Sequence, residues 1–187
     1  MLKLKEKYRK EVIPEMQKKF GYKSVMAVPK IEKVVINTGI GRLVAGKTSE
    51  EQKKLFKSVL EDLAAVAGQK AVLTKAKKSI SVFKVRQGMA VGAKVVLRGK
   101  RMYDFLERLI NIAFPRVRDF RGIELKSFDQ KGNLTVAFRE QSVFPEIAPE
   151  KTRAVFGFEI TIVTTAKSKE ESMELLRLMG FPLKKDG

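Results

Sequence analysis

Apolar and polar positions repeat with two different periods along this chain, and the switches between them mark the elements. Leu2 to Phe20 carries apolar residues at helical spacing, which predicts an amphipathic helix. Gly21 stops it, and Pro14 inside it predicts a kink. Ile31 to Ile36 reads as a strand that ends at Asn37-Thr38-Gly39. Ser49-Glu50-Glu51-Gln52 has the form of a capping box. The helix it opens has Leu55, Phe56, Val59, Leu60, Leu63 and Val66 on one face and closes at Gly68.

Beyond Gly68 the period shortens. Ser79–Val85 and Val91–Leu97 read as two strands joined through Arg86-Gln87-Gly88-Met89. In the first, Ile80 and Val82 alternate with Ser79, Ser81 and Lys84, so one face is expected to be buried and the other polar. Helical spacing returns from Met102 to Phe114, with Phe105, Leu106, Leu109, Ile110 and Ala113 inward, and Pro115 ends it. Arg116–Lys131 is mixed, polar and glycine-bearing, and reads as an exposed loop region. Leu134–Phe138 and Phe158–Thr164 read as strands. Ser168 and Glu171 form a second capping box, opening a last helix that ends at Gly180.

The order is αβαββαββα. Neighbouring strands with no helix between them argue for an α+β fold, a single mostly antiparallel sheet packed by helices on one face. A chain of 187 residues suits a single domain over 1–187. Within it lie an N-terminal helix (2–20), a sheet with a protruding basic loop (about 30–101), a helix with an extended, exposed loop region (about 102–150), and a C-terminal strand and helix (155–180).

Composition narrows the chemistry. Hydrophobic residues make up 44% of the chain, enough for a core. Cysteine, histidine and tryptophan are all absent. That excludes a disulfide framework, a Cys/His metal site, a cysteine nucleophile and any histidine-based acid–base pair. We expect no enzyme activity, no cofactor, no metal and no small-molecule substrate. The start, Met-Leu-Lys-Leu-Lys-Glu-Lys, has no apolar run behind it and does not read as a signal peptide. No stretch approaches the roughly 18 apolar residues of a membrane helix, and a cytoplasmic location is expected.

Charge then changes the picture. Thirty-nine Lys and Arg against 21 Asp and Glu give a formal net charge of +18. Such a chain repels itself unless a polyanion balances it, and nucleic acid is the commonest one. The excess is concentrated: residues 63–103 hold ten basic groups and no acid. These are Lys70, Lys75, Lys77, Lys78, Lys84, Arg86, Lys94, Arg98, Lys100 and Arg101. Solubility requires charge but not the removal of every acid, so the window reads as a binding footprint and not only as a solvated face.

One motif points elsewhere. Gly41-Arg42-Leu43-Val44-Ala45-Gly46-Lys47-Thr48 fits G-x-x-x-x-G-K-[ST], between a strand and a helix, where a phosphate-binding loop belongs. Backbone N–H groups would cradle phosphates, Lys47 would reach them and Thr48 would hold magnesium. The usual partner, an apolar strand ending in Asp, is missing, because Ile160-Thr161-Ile162-Val163 runs into Thr164-Thr165. A nucleotide hydrolase is therefore the rival from another class. A third reading, a peripheral membrane protein held by charge, lacks the amphipathic basic helix such anchoring favours.

For RNA, each lysine that neutralises a phosphate releases counterions and adds about 0.7–0.9 to the log–log salt slope. Thr74-Lys75-Ala76-Lys77-Lys78-Ser79 is a dense run of such groups with hydroxyls alongside. Lys94 and Arg98 lie an even number apart and share a strand face. Phe83 is the one aromatic in these strands and fits a core position or a stacking platform equally. With so few aromatics, recognition is expected to act through shape, phosphate and 2′-OH.

At these segments the sequence resembles the bacterial form of the L-five family of large-subunit ribosomal proteins, over nearly the whole chain. Its most specific pieces are Pro29-Lys30-Ile31-Glu32-Lys33-Val34-Val35-Ile36-Asn37, Thr74-Lys75-Ala76-Lys77-Lys78-Ser79-Ile80-Ser81 and Phe83-Lys84-Val85-Arg86-Gln87-Gly88-Met89. Pro115-Arg116-Val117-Arg118-Asp119-Phe120-Arg121-Gly122 and Phe144-Pro145-Glu146-Ile147 continue it. Ala90 stands where proline is expected after Met89, and Val96 where threonine is usual.

The resemblance implies a 5S rRNA-binding protein of the central protuberance. Its implied neighbours are other central-protuberance proteins, the elbow of peptidyl-site tRNA and a protein of the small-subunit head. On the matching positions it implies 5S rRNA contact for Lys33, Asn37, Gln69, Thr74, Lys94 and Arg98. It places Lys75, Lys77, Lys78, Ser79, Lys84 and Arg86 near tRNA, and an intersubunit bridge around Arg116, Arg118, Arg121 and Phe144.

Overall fold

The computed structural model describes residues 3–44, 46–83, 85–147 and 154–184. Lys84 and Ala45, expected above at the basic loop and the phosphate-loop motif, lie outside the described residues, as does Leu2 at the start of the first helix. The chain divides into two compact units: Met1–Val34 with Leu97–Val136 and Thr161–Gly187, and Val35–Val96 with Ala137–Ile160.

Five strands form one sheet. They are β1 (Ile31–Gly39), β2 (Val72–Lys75), β3 (Ala90–Leu97), β4 (Leu134–Phe138) and β5 (Phe158–Thr164), in the order β2-β3-β1-β5-β4. The sheet is antiparallel, as the α+β reading expects. β2 pairs with β3 in the register Val72↔Lys94 and Thr74↔Gly92, with a bulge between Thr74 and Lys75. β1 alternates buried Val34, Ile36 and Thr38 with half-exposed Lys33, Val35 and Asn37. β5 does the same, with Phe158, Ile160 and Ile162 buried and Glu159 exposed.

In the first unit, the N-terminal helix is built from α1 (Leu4–Lys7), a π-helical segment (Tyr8–Val12) and α2 (Ile13–Phe20). Pro14 has no N–H for an ordinary helical bond. The chain widens just before it and starts afresh with the proline in the first turn of α2. Gly21, at φ +68°, then stops the helix in the left-handed region that glycine enters without strain. The same device recurs further on. After β3, α5 (Gly99–Arg108) passes into a second π-helical segment (Leu109–Ala113), and Pro115 opens the short α6 (Phe114–Arg116). The last helix, α7 (Lys169–Met179), is capped by Ser168, whose hydroxyl accepts from the Glu171 N–H at 3.2 Å. Val12, Met16, Phe105, Leu106, Leu109, Phe114, Leu175 and Leu176 are fully buried, and they make this unit's core.

In the second unit, α3 (Gly41–Val44) is a single turn and α4 (Ser49–Ala67) a long helix. The capping box lies one residue earlier than the sequence pattern suggests. Thr48 is the N-cap, its Oγ1 accepting from the Glu51 N–H while Glu51 Oε2 accepts from the Thr48 N–H at 2.9 Å. Phe138, Phe144 and Phe158 gather into an aromatic core, with Phe138 stacked on Phe158 at 5.2 Å.

Two expectations fail here. Ser79–Val85 is not a strand: β2 lies upstream at Val72–Lys75, and only Ile80 and Val85 bridge across the later segment. Its alternating apolar residues do not face a core, since Val82 is 83% and Phe83 69% exposed. Nor is Arg116–Lys131 a free loop. Ile123 and Phe128 are buried. The Ile123 N–H donates to the Pro182 carbonyl at 2.8 Å and its carbonyl accepts from the Lys184 N–H at 3.0 Å.

Candidate nucleic-acid interface

Four of the six expected rRNA contacts belong to the second unit and two to the first. In the second unit, strand alternation puts Asn37 on the half-exposed side of β1 and Lys94 on the exposed side of β3. Register places Val72 of β2 beside Lys94, and Thr74 beside Gly92. Gly92 is there because nothing larger fits. A Cβ would lie 2.4 Å from the Thr38 carbonyl oxygen and 2.8 Å from Thr74 Oγ1. The glycine thus lets β3 lie close to both the Thr38 carbonyl and the Thr74 hydroxyl.

Two amides of the group are already engaged. Asn37 Nδ2 donates to Glu159 Oε1 at 3.0 Å, which fixes the orientation of its amide. Gln69 Nε2 donates to the Val96 carbonyl at 3.0 Å and ties the end of α4 to β3. Gln69 thus has a holding role that its position after Gly68 does not reveal.

The loop after β2 is a laced hairpin. Ala76 donates to the Met89 carbonyl at 2.8 Å, and Gly88 to the Ala76 carbonyl at 2.9 Å. Further out, Ile80 and Val85 exchange both backbone bonds, at 2.9 and 3.1 Å, and Ser79 Oγ accepts from the Gln87 N–H at 2.9 Å. Lys75, Lys77, Lys78, Ser79 and Arg86 are all exposed along it. Among the described residues, no carboxylate forms an ion pair with Lys75, Lys77, Lys78, Arg86 or Lys94. Unpaired, solvated cations on a laced loop can neutralise phosphates without first breaking an internal bond.

In the first unit the arrangement differs. Arg98 Nη1 meets Glu32 Oε1 at 3.0 Å, and Lys33 Nζ lies 3.9 Å from the same oxygen. One exposed carboxylate thus holds two of the expected RNA-binding cations, a pairing that sequence position hides because residues 32 and 98 are far apart in the chain. Arg116, Arg118 and Arg121 are exposed. The backbone near them is shaped by Asp119 at φ +55° and Gly122 at φ +94°, and Phe120 stacks on Phe114 at 5.1 Å. Phe144, grouped with these arginines above, belongs to the second unit and is 0% exposed. Its ring fills the aromatic core and has no surface to give a partner.

The phosphate-loop match does not build a phosphate cradle. The Leu43 and Val44 N–H groups donate to the Ile40 carbonyl at 3.0 and 3.2 Å, and the Lys47 N–H to the Val44 carbonyl at 3.2 Å. Thr48 Oγ1 and N–H both meet the Glu51 carboxylate at 2.9 Å. That carboxylate sits where an anion would be drawn, and the bonds to Thr48 hold its pKa below the ordinary glutamate value. The Leu43, Val44, Lys47 and Thr48 backbone donors of the motif are therefore engaged within the chain itself.

Among the described residues no group of acidic side chains could hold a metal ion, and no helix is long and apolar enough to cross a membrane. Comparison with known proteins agrees with the RNA-facing chemistry. The family model described as "Ribosomal protein L5" matches residues 24–86, and the model of the same ribosomal family's C-terminus matches residues 90–183. "Large ribosomal subunit protein uL5" of Alkaliphilus metalliredigens is 54% identical over 185 residues, covering 99% of this chain and 100% of the relative. The proteins of that name from Desulforamulus reducens (54% identity, 99% of each chain) and Halothermothrix orenii (51%, 96% and 97%) are similarly close. With hairpin cations, half-open sheet side and both family models in agreement, the chain belongs to the L5 family of ribosomal proteins, structural constituents of the cytoplasmic large ribosomal subunit rather than enzymes.

Proposed function

We propose that this protein holds 5S rRNA in the central protuberance of the large subunit, alongside that region's other proteins. In this reading Asn37, Thr74 and Lys94 line the rRNA contact, with Lys33 and Arg98 adding phosphate contacts from the first unit. The laced loop bearing Lys75, Lys77, Lys78, Ser79 and Arg86 meets the elbow of peptidyl-site tRNA. Arg116, Arg118 and Arg121 offer the bridge to a small-subunit head protein. Gln69 acts by holding β3 in place.

The observation that carries the reading is that, among the described residues, Lys75, Lys77, Lys78, Arg86 and Lys94 have no carboxylate partner, within a stretch from 63 to 103 that has no acid at all. Polyanion binding is the use that explains such a purge. The test is binding of the purified chain to 5S rRNA and to an arbitrary duplex RNA of equal length, across a salt series. Tight, salt-sensitive preference for 5S rRNA supports the proposal, and equal affinity for the two overturns it. A Lys77→Glu/Lys78→Glu variant should keep 5S rRNA and lose tRNA; loss of 5S rRNA binding moves those lysines to the rRNA side.

A further inference from the structure

Two side chains at the hairpin tip have no role in the fold. Val82 and Phe83 are 83% and 69% exposed, next to Ile80 at 46%. Adjacent large apolar residues at such exposure, in a chain with a well-filled core, mark a contact surface. They also line a cleft of about 630 Å³, within the usual range of small-ligand sites. Val85, Val91, Arg42, Gly41 and Gly46 complete its lining.

We propose that this cleft receives one unpaired nucleobase, extruded from an RNA loop and stacked on Phe83. The inference rests on the RNA-binding reading above and adds a base-level contact to it. An aromatic ring and a guanidinium both present flat faces to a planar base, and stacking of this kind is how proteins grip unpaired RNA. The surroundings select a nucleic acid. Lys77, Lys78 and Arg86 flank the tip with no carboxylate partner among the described residues, ready for the phosphates on either side of the base. A lipid surface would call for a broader apolar face than three side chains provide. The two rungs at Ile80–Val85 and Ser79–Gln87 pre-set the tip, so little conformational freedom remains to be lost on binding.

The chain has no tryptophan, so Phe83→Trp introduces a single indole whose fluorescence reports on stacking. The full-length variant is titrated with a stem-loop RNA and with a blunt duplex of equal length, each carrying a dye for anisotropy. The expected result is binding of both RNAs with indole quenching by the stem-loop alone. Phe83→Ala should weaken stem-loop binding roughly 5- to 150-fold, with the salt slope unchanged, and Phe83→Tyr should restore it. Equal quenching by both RNAs, quenching by neither while anisotropy reports binding, or an unaltered affinity for Phe83→Ala overturns the inference and leaves the RNA-binding reading standing. If wild-type protein binds neither RNA in the anisotropy arm, the broader reading fails as well.

Discussion

Replacing Glu32 by Gln should make this protein a better RNA binder at almost no cost in stability. The carboxylate meets Arg98 at 3.0 Å and Lys33 at 3.9 Å, with the Arg98 and Glu32 side chains 57% and 43% exposed. An ion pair so open to solvent contributes about 0.2–1 kcal/mol to folding, so the variant's urea midpoint should barely move. The same energy opposes the transfer of Arg98 to a phosphate. Removing it corresponds to roughly a 1.4- to 5-fold gain in affinity. If the freed guanidinium takes one more phosphate, the log–log salt slope should steepen by about 0.7–0.9. The assay is anisotropy of labelled 5S rRNA from low to high salt, with urea melts of both proteins in parallel. Weaker binding by Glu32→Gln with unchanged folding would refute the reasoning, because Glu32 would then be orienting Arg98 for the RNA instead of competing for it.

Other outcomes follow from the packing. Phe144→Ala empties a fully buried site among Phe138 and Phe158 and should cost about 3–5 kcal/mol by urea denaturation, contrary to the mild effect a surface contact would show. Gly92→Ala drives a Cβ to 2.4 Å from the Thr38 carbonyl oxygen, which belongs to a neighbouring strand and cannot swing aside. The loss should be about 1–3 kcal/mol or more, and 5S rRNA binding should fall with it. Thr48→Ala removes the cap of α4 and should cost about 1 kcal/mol at neutral pH. Because the Glu51 pKa is lowered in the fold by its bonds to Thr48, this contribution is present above the ordinary glutamate value of 4.5 and fades as pH falls through the lowered one. The two proteins' melting curves should therefore converge in acid, and a gap that widens there counts against the capping account.

Some of this molecule is plain in the order of its residues. β4 and β5 occupy the segments their alternation predicts, since both have one face in the core and the pattern has a single meaning. Gly21, Gly68 and Gly180 end their helices at positive φ, where other residues are strained. The hairpin shows the opposite. Ile80 and Val82 alternate with serines as a half-buried strand would, but those apolar residues are exposed at a tip, so the period alone misplaces the strand. Phe144 is placed at a bridge surface only by the family resemblance, and nothing in its local sequence marks it as core. Its burial depends on Phe138 and Phe158, which alternation does not pair with it. The candidate interface divides the same way. The basic stretch is visible as a window without acids. The bonds that hold Arg98 and Asn37 come from Glu32 and Glu159, which strand pairing brings near from distant positions.

The two widened turns, each set just ahead of a proline, each take up about one residue more than an ordinary turn. An ordinary helix advances about 100° per residue. A single-residue deletion within Tyr8–Val12 that restored a regular spiral would leave the upstream turn close to its present phase, whereas a deletion elsewhere in the helix would swing everything upstream by about that angle relative to Met16. Leu4, now in the core, would be turned toward water while a lysine took its place. The irregular turns thus act as phase correctors that let a proline and a continuous apolar seam coexist in one helix.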